Sequence, residues 1–277
     1  MPVHARKLVR KMRGGAQAHL VEAGDGHYYV VKFVNNPQHR RILVNEWLAS
    51  SVFNYLKIPT PDHAVVEFSS EFLDANPEIG IQLGARQMPV EPGPHYGSRY
   101  PGDPNRLAVY DFLPDQLLAS VGNLTHFQAA LVADKLLGNS DSRQAIFFRG
   151  EARHWLSTET HASRKTLGVQ MIDHGYSCNG PHWDFPDAPM QGIYFRHCVY
   201  DSVRSLENLE PWLSQAQAMP VEVLDSAWRN MPPSWLEKEP PETCDHLIES
   251  LMRRRKRLPA LLDDIRRGRI TPFANWK

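Results

Sequence analysis

Two aspartates stand where an apolar run gives way to a polar turn. Asp141 lies in Gly138-Asn139-Ser140-Asp141-Ser142-Arg143-Gln144, and Asp173 in Val169-Gln170-Met171-Ile172-Asp173-His174-Gly175. Each carboxylate emerges at the edge of a segment that should be buried, where an uncompensated charge is costly, so each calls for a cationic partner. Upstream, Lys32 closes the strand-like run Tyr28-Tyr29-Val30-Val31-Lys32-Phe33, and Glu46 sits among the apolar residues that follow. A phosphoryl-transfer site needs a lysine on the phosphates, a glutamate that fixes it, a loop aspartate beside the acceptor hydroxyl and a second aspartate on a divalent metal. Here they occur in that chain order.

These residues require particular elements to hold them. Ala5 to Met12 and His19 to Ala23 read as strands, and Gly24-Asp25-Gly26 supplies the positive-φ positions of a tight hairpin that returns the chain into Tyr28 to Phe33. Gly14 and Gly15, in the loop between the first two strands, would let backbone N–H groups approach phosphate, although paired glycines also make an ordinary turn. Lys32 on the third strand equally reads as an edge charge that discourages aggregation. A helix from about Arg40 to Tyr55 stops before Lys57-Ile58-Pro59. Its apolar stripe of Ile42, Ala49 and Phe53 carries Glu46, either as a partner for Lys32 or as a charge at the stripe's edge reaching water.

His63 to Phe68 and Ile79 to Met88 are two further strand candidates. Pro89-Val90-Glu91-Pro92-Gly93-Pro94 then excludes regular structure and reads as a hinge, which would set Arg86 to Val90, with Gln87 and Met88, beside the adenine of a nucleotide. Helical segments follow near Asn105 to Phe112, Pro114 to Val121 and Leu124 to Leu137, the last ending on a capping Gly138. Ala145 to Phe148 is a strand, an irregular excursion runs from Arg149 to Lys165, and Leu167 to Ile172 pairs back. One hairpin thus brings Asp141 and Asp173 together, because antiparallel neighbours lie only about 5 Å apart.

The whole chain of 277 residues is 42% hydrophobic, enough for one large core or two joined across a cleft. A formal net charge of zero argues against general affinity for nucleic acid or anionic membrane. The apolar stretches are short of a membrane span, and the N-terminal residues lack the apolar core of a secretory signal, so a cytoplasmic location is expected. Cys178, Cys198 and Cys244, odd in number and widely spaced, suit reduced thiols.

Gly14-Gly15, Val31-Lys32-Phe33, Asn45-Glu46, Phe127 to Gln144 with Asp134-Lys135-Leu136-Leu137-Gly138-Asn139-Ser140-Asp141, and Ile172-Asp173-His174-Gly175 together resemble the HipA-like kinases, with a more distant likeness to phosphoinositide 3/4-kinases. The resemblance implies an α+β, two-lobed, protein-kinase-like fold, with a small antiparallel-sheet lobe over about residues 1 to 90 and a larger, mainly helical lobe over 91 to 277. It implies ATP and Mg²⁺ as cofactors, Lys32 on the phosphates, Glu46 orienting it, Asp141 beside the attacking hydroxyl and Asp173 on Mg²⁺. The family places an asparagine five residues after its loop aspartate. Ile146 occupies that position here, and Gln144, three residues on, is the nearest amide and the candidate for the second metal.

Other clusters compete for chemistry. His174, Cys178 and His182 have the spacing of zinc ligands but no evident fourth partner, and Tyr176 to Met190 reads instead as the segment that shapes acceptor binding. Arg253 to Arg257, bracketed by Glu249, Asp263 and Asp264, reads as a solvated helix face, with helix on either side of Pro259. Trp212, Trp228 and Trp235 should anchor C-terminal helices to the large lobe. The expected activity is transfer of the γ-phosphoryl group of MgATP to a hydroxyl, preferentially a protein serine or threonine. A small-molecule kinase shares the same machinery, and a pseudokinase that binds nucleotide or a partner without turnover is the alternative that Gln144 keeps open.

Overall fold

The structure, a computed structural model, describes residues 2–151, 165–269 and 271–276. Strands β1 (Val3–Lys11), β2 (His19–Ala23) and β3 (Tyr28–Lys32) form the antiparallel meander expected, with the β2–β3 turn at Gly24 to Gly26. Two more strands, β4 (His63–Phe68) and β7 (Gly93–Arg99), close it into a barrel of order β1-β2-β3-β7-β4. Closure uses a short parallel pairing of Val3 and His4 with Val66 and Glu67. Alternation along the strands puts Val21, Tyr29, Val31, Phe33, Val66 and Phe68 in one buried cluster inside the barrel. Lys32, between Val31 and Phe33, is therefore on the outer face.

Helix α1 (Arg41–Tyr55) packs there. It is buried nearly all round, from Ile42 to Glu46 and at Leu48 to Ser50, Val52 and Phe53, because it has cover on two sides. The barrel lies on one, and α6 (Glu222–Arg229) with the turn Pro233–Trp235 on the other. Trp47 Nε1 donates to Ala227 O at 2.9 Å, and Trp235 Nε1 to Pro94 O at 2.8 Å. Trp235 thus ties the C-terminal region to β7 of the barrel.

The rest of the core is built on α4 (His126–Leu137), buried from Phe127 to Leu137 and ended by Gly138 in the left-handed conformation (φ 61°, ψ 46°). Alongside it lie α5 (Trp212–Ala218) and α7 (Thr243–Arg267), which continues unbroken through Pro259. Strands β9 (Gln144–Glu151) and β10 (Lys165–Ile172) pair antiparallel from Gln144↔Ile172 outward. Ala145, Phe147, Val169 and Met171 face the core, which leaves Gln144, Ile146, Gln170 and Ile172 on the opposite face. The excursion expected between these strands begins only after Glu151, and its residues 152–164 lie outside the described residues.

Several sequence expectations are corrected. Ile79 to Met88 is not one strand but a hairpin, β5 (Gly80–Leu83) and β6 (Arg86–Pro89), turned at Gly84 with φ 60°. The proline cluster does not end the sheet, since β7 starts inside it. Pro94 is tolerated because β7 has only β4 beside it there; β3 joins from Tyr96 onward, so no ladder donor is missing. The chain from Asn105 to Phe112 is not helical: it turns and then forms β8 (Val109–Tyr110) against Phe147 and Phe148. Arg254, in the basic run of α7, is buried rather than solvated. The two remaining helices, α2 (Ser70–Asp74) and α3 (Asp115–Leu118), are single turns. No helix among the described residues is long and apolar enough to cross a membrane.

Candidate active site

Lys32, Glu46 and Asp173 meet where the barrel's outer face, α1 and the end of β10 converge. Lys32 Nζ donates to Glu46 Oε1 and, at 2.6 Å, to Asp173 Oδ1. The lysine and glutamate side chains are 11% and 3% exposed, whereas that of Asp173 is 35% exposed, so the triad is closed on one side and open on the other. Burial works against the lysine's charge, but Asp173 and Glu46 together hold its pKa above the ordinary value. Burial, with the charge of Asp173 adding to it, pushes Glu46 up while Lys32 draws it down. Asp173 is lowered by Lys32, against its own burial, with smaller help from Arg143 and a hydrogen bond from Gln144.

Backbone geometry prepares this meeting. Asp173 itself sits at φ 58°, a left-handed position that aspartate tolerates better than most residues. The next turn presses on α1: a Cβ at Gly175 would lie 2.6 Å from Ile42 Cγ2 and 3.6 Å from Lys32 Nζ, so only glycine lets the chain pass. Asn45, one residue before Glu46, fastens that chain. Its Nδ2 donates to Gly175 O (2.7 Å) and Gly180 O (2.9 Å), and its Oδ1 accepts from Trp183 Nε1 (2.8 Å). Arg41 adds a bidentate pair with Glu239, a bond to Pro181 O at 2.7 Å and a stack over Trp183 at 4.3 Å.

Asp141 is exposed at the mouth of the loop after α4. Its Oδ1 accepts from Ser142 N at 2.7 Å, its amide donates to Asn139 Oδ1 at 3.1 Å, and its carbonyl accepts from Gly192 N at 2.8 Å. Asn139 is in turn held by Asp134 Oδ1 at 2.9 Å.

Asp134 belongs to a second network, built on Arg143, that sequence reasoning did not assign. Arg143 grips Asp134 through Nε (2.8 Å) and an η nitrogen (2.5 Å), both side chains being at most 1% exposed. Its other η nitrogen donates to Ile172 O at 2.6 Å and lies 3.2 Å from His174 Nδ1, and the guanidinium stacks 5.2 Å from the Phe53 ring of α1. One arginine thus joins α4, the residue before Asp173, the residue after it, and α1. The hydrogen bonds also fix the tautomer of His174. Thr60 Oγ1 spends its proton on Met171 O (2.9 Å), so it accepts from His174 Nε2 (2.9 Å), and Nδ1 is the bare nitrogen that receives Arg143. Burial, then the nearby Arg143, holds the His174 pKa well below normal. His174 therefore works as a neutral hydrogen-bond relay packed on Phe53, and Cys178, a candidate ligand beside it, is buried. Asp134, a charge inside the otherwise apolar run of α4, was the available signal, and Arg143 in its polar turn gave none.

The remaining sequence candidates fall elsewhere. Gly14 needs its glycine for φ 117°, whereas at Gly15 a Cβ would meet only the movable end of the Gln38 side chain, at 2.8 Å from Nε2. Gln87 and Met88 lie in the β5–β6 hairpin, Gln87 exposed and Met88 against the barrel core, and are not brought to Lys32. The residue opposite Lys32 on the neighbouring strand is Tyr96, whose hydroxyl meets Ser50 of α1 at 3.1 Å. Lys135 and Arg254 hold the chain beyond Asp173. Lys135 Nζ donates to the carbonyls of Ala188 (3.1 Å), Pro189 (2.8 Å) and Gln191 (2.5 Å), and Arg254 pairs with Asp187 at 2.9 Å.

Residues 6–112 match the family model of the HipA-like kinase, a span from β1 to just beyond β8 that contains Lys32 and Glu46 but not Asp141 or Asp173. No curated protein matches the chain. Among solved structures, the crystal structure of the Golgi casein kinase with Mn/ADP bound is similar with a TM-score of 0.48 and 12% identity, covering 94% of this chain and 72% of that one. A second crystal structure of the Golgi casein kinase gives a TM-score of 0.49 and 12% identity over 97% of this chain and 72% of that one.

Proposed function

We propose that this chain is an ATP-dependent phosphotransferase that moves the γ-phosphoryl group of MgATP to a hydroxyl, by family resemblance that of a protein serine or threonine. The observation that carries this reading is Lys32 held ionised between Glu46 and Asp173 at a site open on the Asp173 side. Glu46 is buried and keeps the ammonium oriented, and Asp173 offers a half-exposed, low-pKa carboxylate with the Gln144 amide beside it. A hard divalent cation suits that oxygen donor set, and when bound it would neutralise charge on the transferring phosphates. The match of residues 6–112 to the HipA-like kinase supports the assignment of Lys32 and Glu46.

In this reading Lys32 binds phosphate oxygens with the Glu46 pair already formed, and only its contact with Asp173 gives way. Asp141 receives the acceptor: one carboxylate oxygen is occupied by Ser142 N and the other remains to orient the hydroxyl and take its proton. The Arg143 network keeps the loops of Asp141 and Asp173 in fixed relation. Gly14 and Gly15 are kept as phosphate contacts of a secondary kind, since the left-handed φ of Gly14 has a structural reason of its own.

The test separates the two aspartates. Asp141→Asn should bind MgATP normally in calorimetric titration and lose phosphoryl transfer by roughly 10²- to 10⁴-fold, the usual worth of a positioned base; Asp173→Asn should lose the Mg²⁺-dependent part of binding as well. Equal loss of binding in both would leave no separate role for Asp141. Incubation with labelled ATP and Mg²⁺ alone sorts the acceptor class: self-phosphorylation favours a protein acceptor, slow hydrolysis a small molecule, and binding without turnover a pseudokinase.

A further inference from the structure

Six large apolar side chains stand 41–59% exposed among the described residues, and five of them, Tyr110, Phe112, Leu117, Met190 and Phe195, lie on two segments, 110–117 and 190–195. Arg196 joins those segments. It donates to Leu113 O at 2.6 Å, pairs with Asp115, and holds its guanidinium carbon 5.0 Å from the Phe112 ring centre and 6.0 Å from that of Phe195. With its charge met by Asp115, Arg196 serves here as a spacer between two aromatic rings, and the patch attracts neither phosphate nor anionic lipid. Aromatic residues around an arginine are the composition of protein-binding hot spots.

The patch is continuous with the candidate active site. Gly192 N donates to the carbonyl of Asp141 at 2.8 Å, and Arg143 N to Ile193 O at 3.2 Å, so the segment that ends in Phe195 is fastened to the loop of Asp141. Phe195 lies three steps along the chain from Gly192, a reach of at most about 10 Å. An occupant whose hydroxyl faces Asp141 therefore extends over Phe195 within about three residues of extended chain. The surface is open, and small ligands are bound where 70–90% of their own surface is enclosed, roughly. A macromolecular acceptor, which brings its own apolar side chain, is what such a surface can hold.

We propose that Phe112 and Phe195, flanked by Tyr110 and Leu117, receive an apolar side chain of a protein acceptor about three residues from the hydroxyl that is phosphorylated. This rests on the phosphotransferase reading above and specifies its substrate. The experiment uses the full chain with labelled ATP, Mg²⁺ and a degenerate peptide library around a fixed serine or threonine, with ATP turnover and sedimentation followed in parallel. Selection for Phe, Leu, Ile or Met two to four positions from the hydroxyl is expected. In a Phe112→Ser/Phe195→Ser variant that melts as the wild type does, kcat/KM for the selected peptides should fall roughly tenfold or more while acceptor-free ATP turnover is unchanged. ATP turnover without apolar selection, or selection that survives in the variant, overturns the docking surface and leaves the kinase reading standing. Absence of ATP turnover in the wild type removes both, and a dimer abolished by the double substitution assigns the patch to a second copy of the chain instead.

Discussion

The Lys32–Glu46–Asp173 triad and the Asp134–Arg143 pair are both ionic, and both join α1 to the segments that follow α4 and β10, yet they are built to opposite ends. Arg143 has each of its three guanidinium nitrogens engaged and sits with Asp134 beyond the reach of water. The triad leaves one member a third exposed and gives its lysine two carboxylates. A buried pair with every group satisfied can only hold position. A pair with an excess carboxylate facing solvent can exchange partners, and phosphate with a metal ion is the exchange proposed here. Ionic contacts in a core therefore separate into fasteners and working groups by what remains unsatisfied, not by their distances.

Breaking the fastener should have the larger effect. Arg143→Ala leaves Asp134 a buried, uncompensated carboxylate, with an expected loss of about 3–5 kcal/mol in urea unfolding. The paired replacement Asp134→Leu/Arg143→Met should recover most of that stability, as apolar isosteres of buried pairs do, while still unfastening Asn139 and the Asp141 loop. If the single variant unfolds at the wild-type midpoint, the pair is not the fastener described.

Breaking the working group should cost activity more than stability. Lys32→Met is expected to lower ATP turnover by about 2–4 kcal/mol in transition-state terms while the fold persists, since charge-assisted contacts in a cleft exceed those at a surface. Initial rates alongside circular dichroism measure both at once, and unchanged turnover in the folded variant would remove Lys32 from the site. A smaller change sharpens the fastener. Thr60→Val deletes the hydroxyl between His174 and Met171 and should cost about 1–3 kcal/mol in the same unfolding assay, nearer the lower figure if water replaces it.

The smallest effect is a slope. Asp173 is lowered in the folded state by Lys32, so its contribution is fully present above the ordinary aspartate pKa of about 3.9 and is lost as pH falls through the lowered folded value. Wild-type urea midpoints should therefore fall more steeply below about pH 4 than those of Asp173→Asn. Parallel slopes would show that Lys32 does not hold the carboxylate in solution.

What was legible in the sequence divides along the same line. The triad was readable because its parts carry local signals: Lys32 ends an apolar strand, Glu46 interrupts a helical stripe, and Asp173 follows a buried run. The fastener was harder to read, because Arg143 looks like an ordinary solvated charge in a polar turn and Asp134 is followed by Lys135, until both are seen to be buried. Gln87 and Met88 were misplaced for a related reason. A proline cluster reads as a loop from its own residues, whereas the strand that begins inside it is set by distant partners, β3 and β4.

The double cover of α1 bears on how the chain comes to be folded. The span that matches the HipA-like kinase ends at residue 112 and includes the whole of α1, but the outer face of that helix is closed by Ala227, Trp235 and Glu239. In the folded chain, then, the helix is enclosed only with residues 227–239 in place. The burial of the helix that carries Glu46 is thus shared between the two ends of the sequence, and a cut before Ala227 would bare its Trp47 face to water.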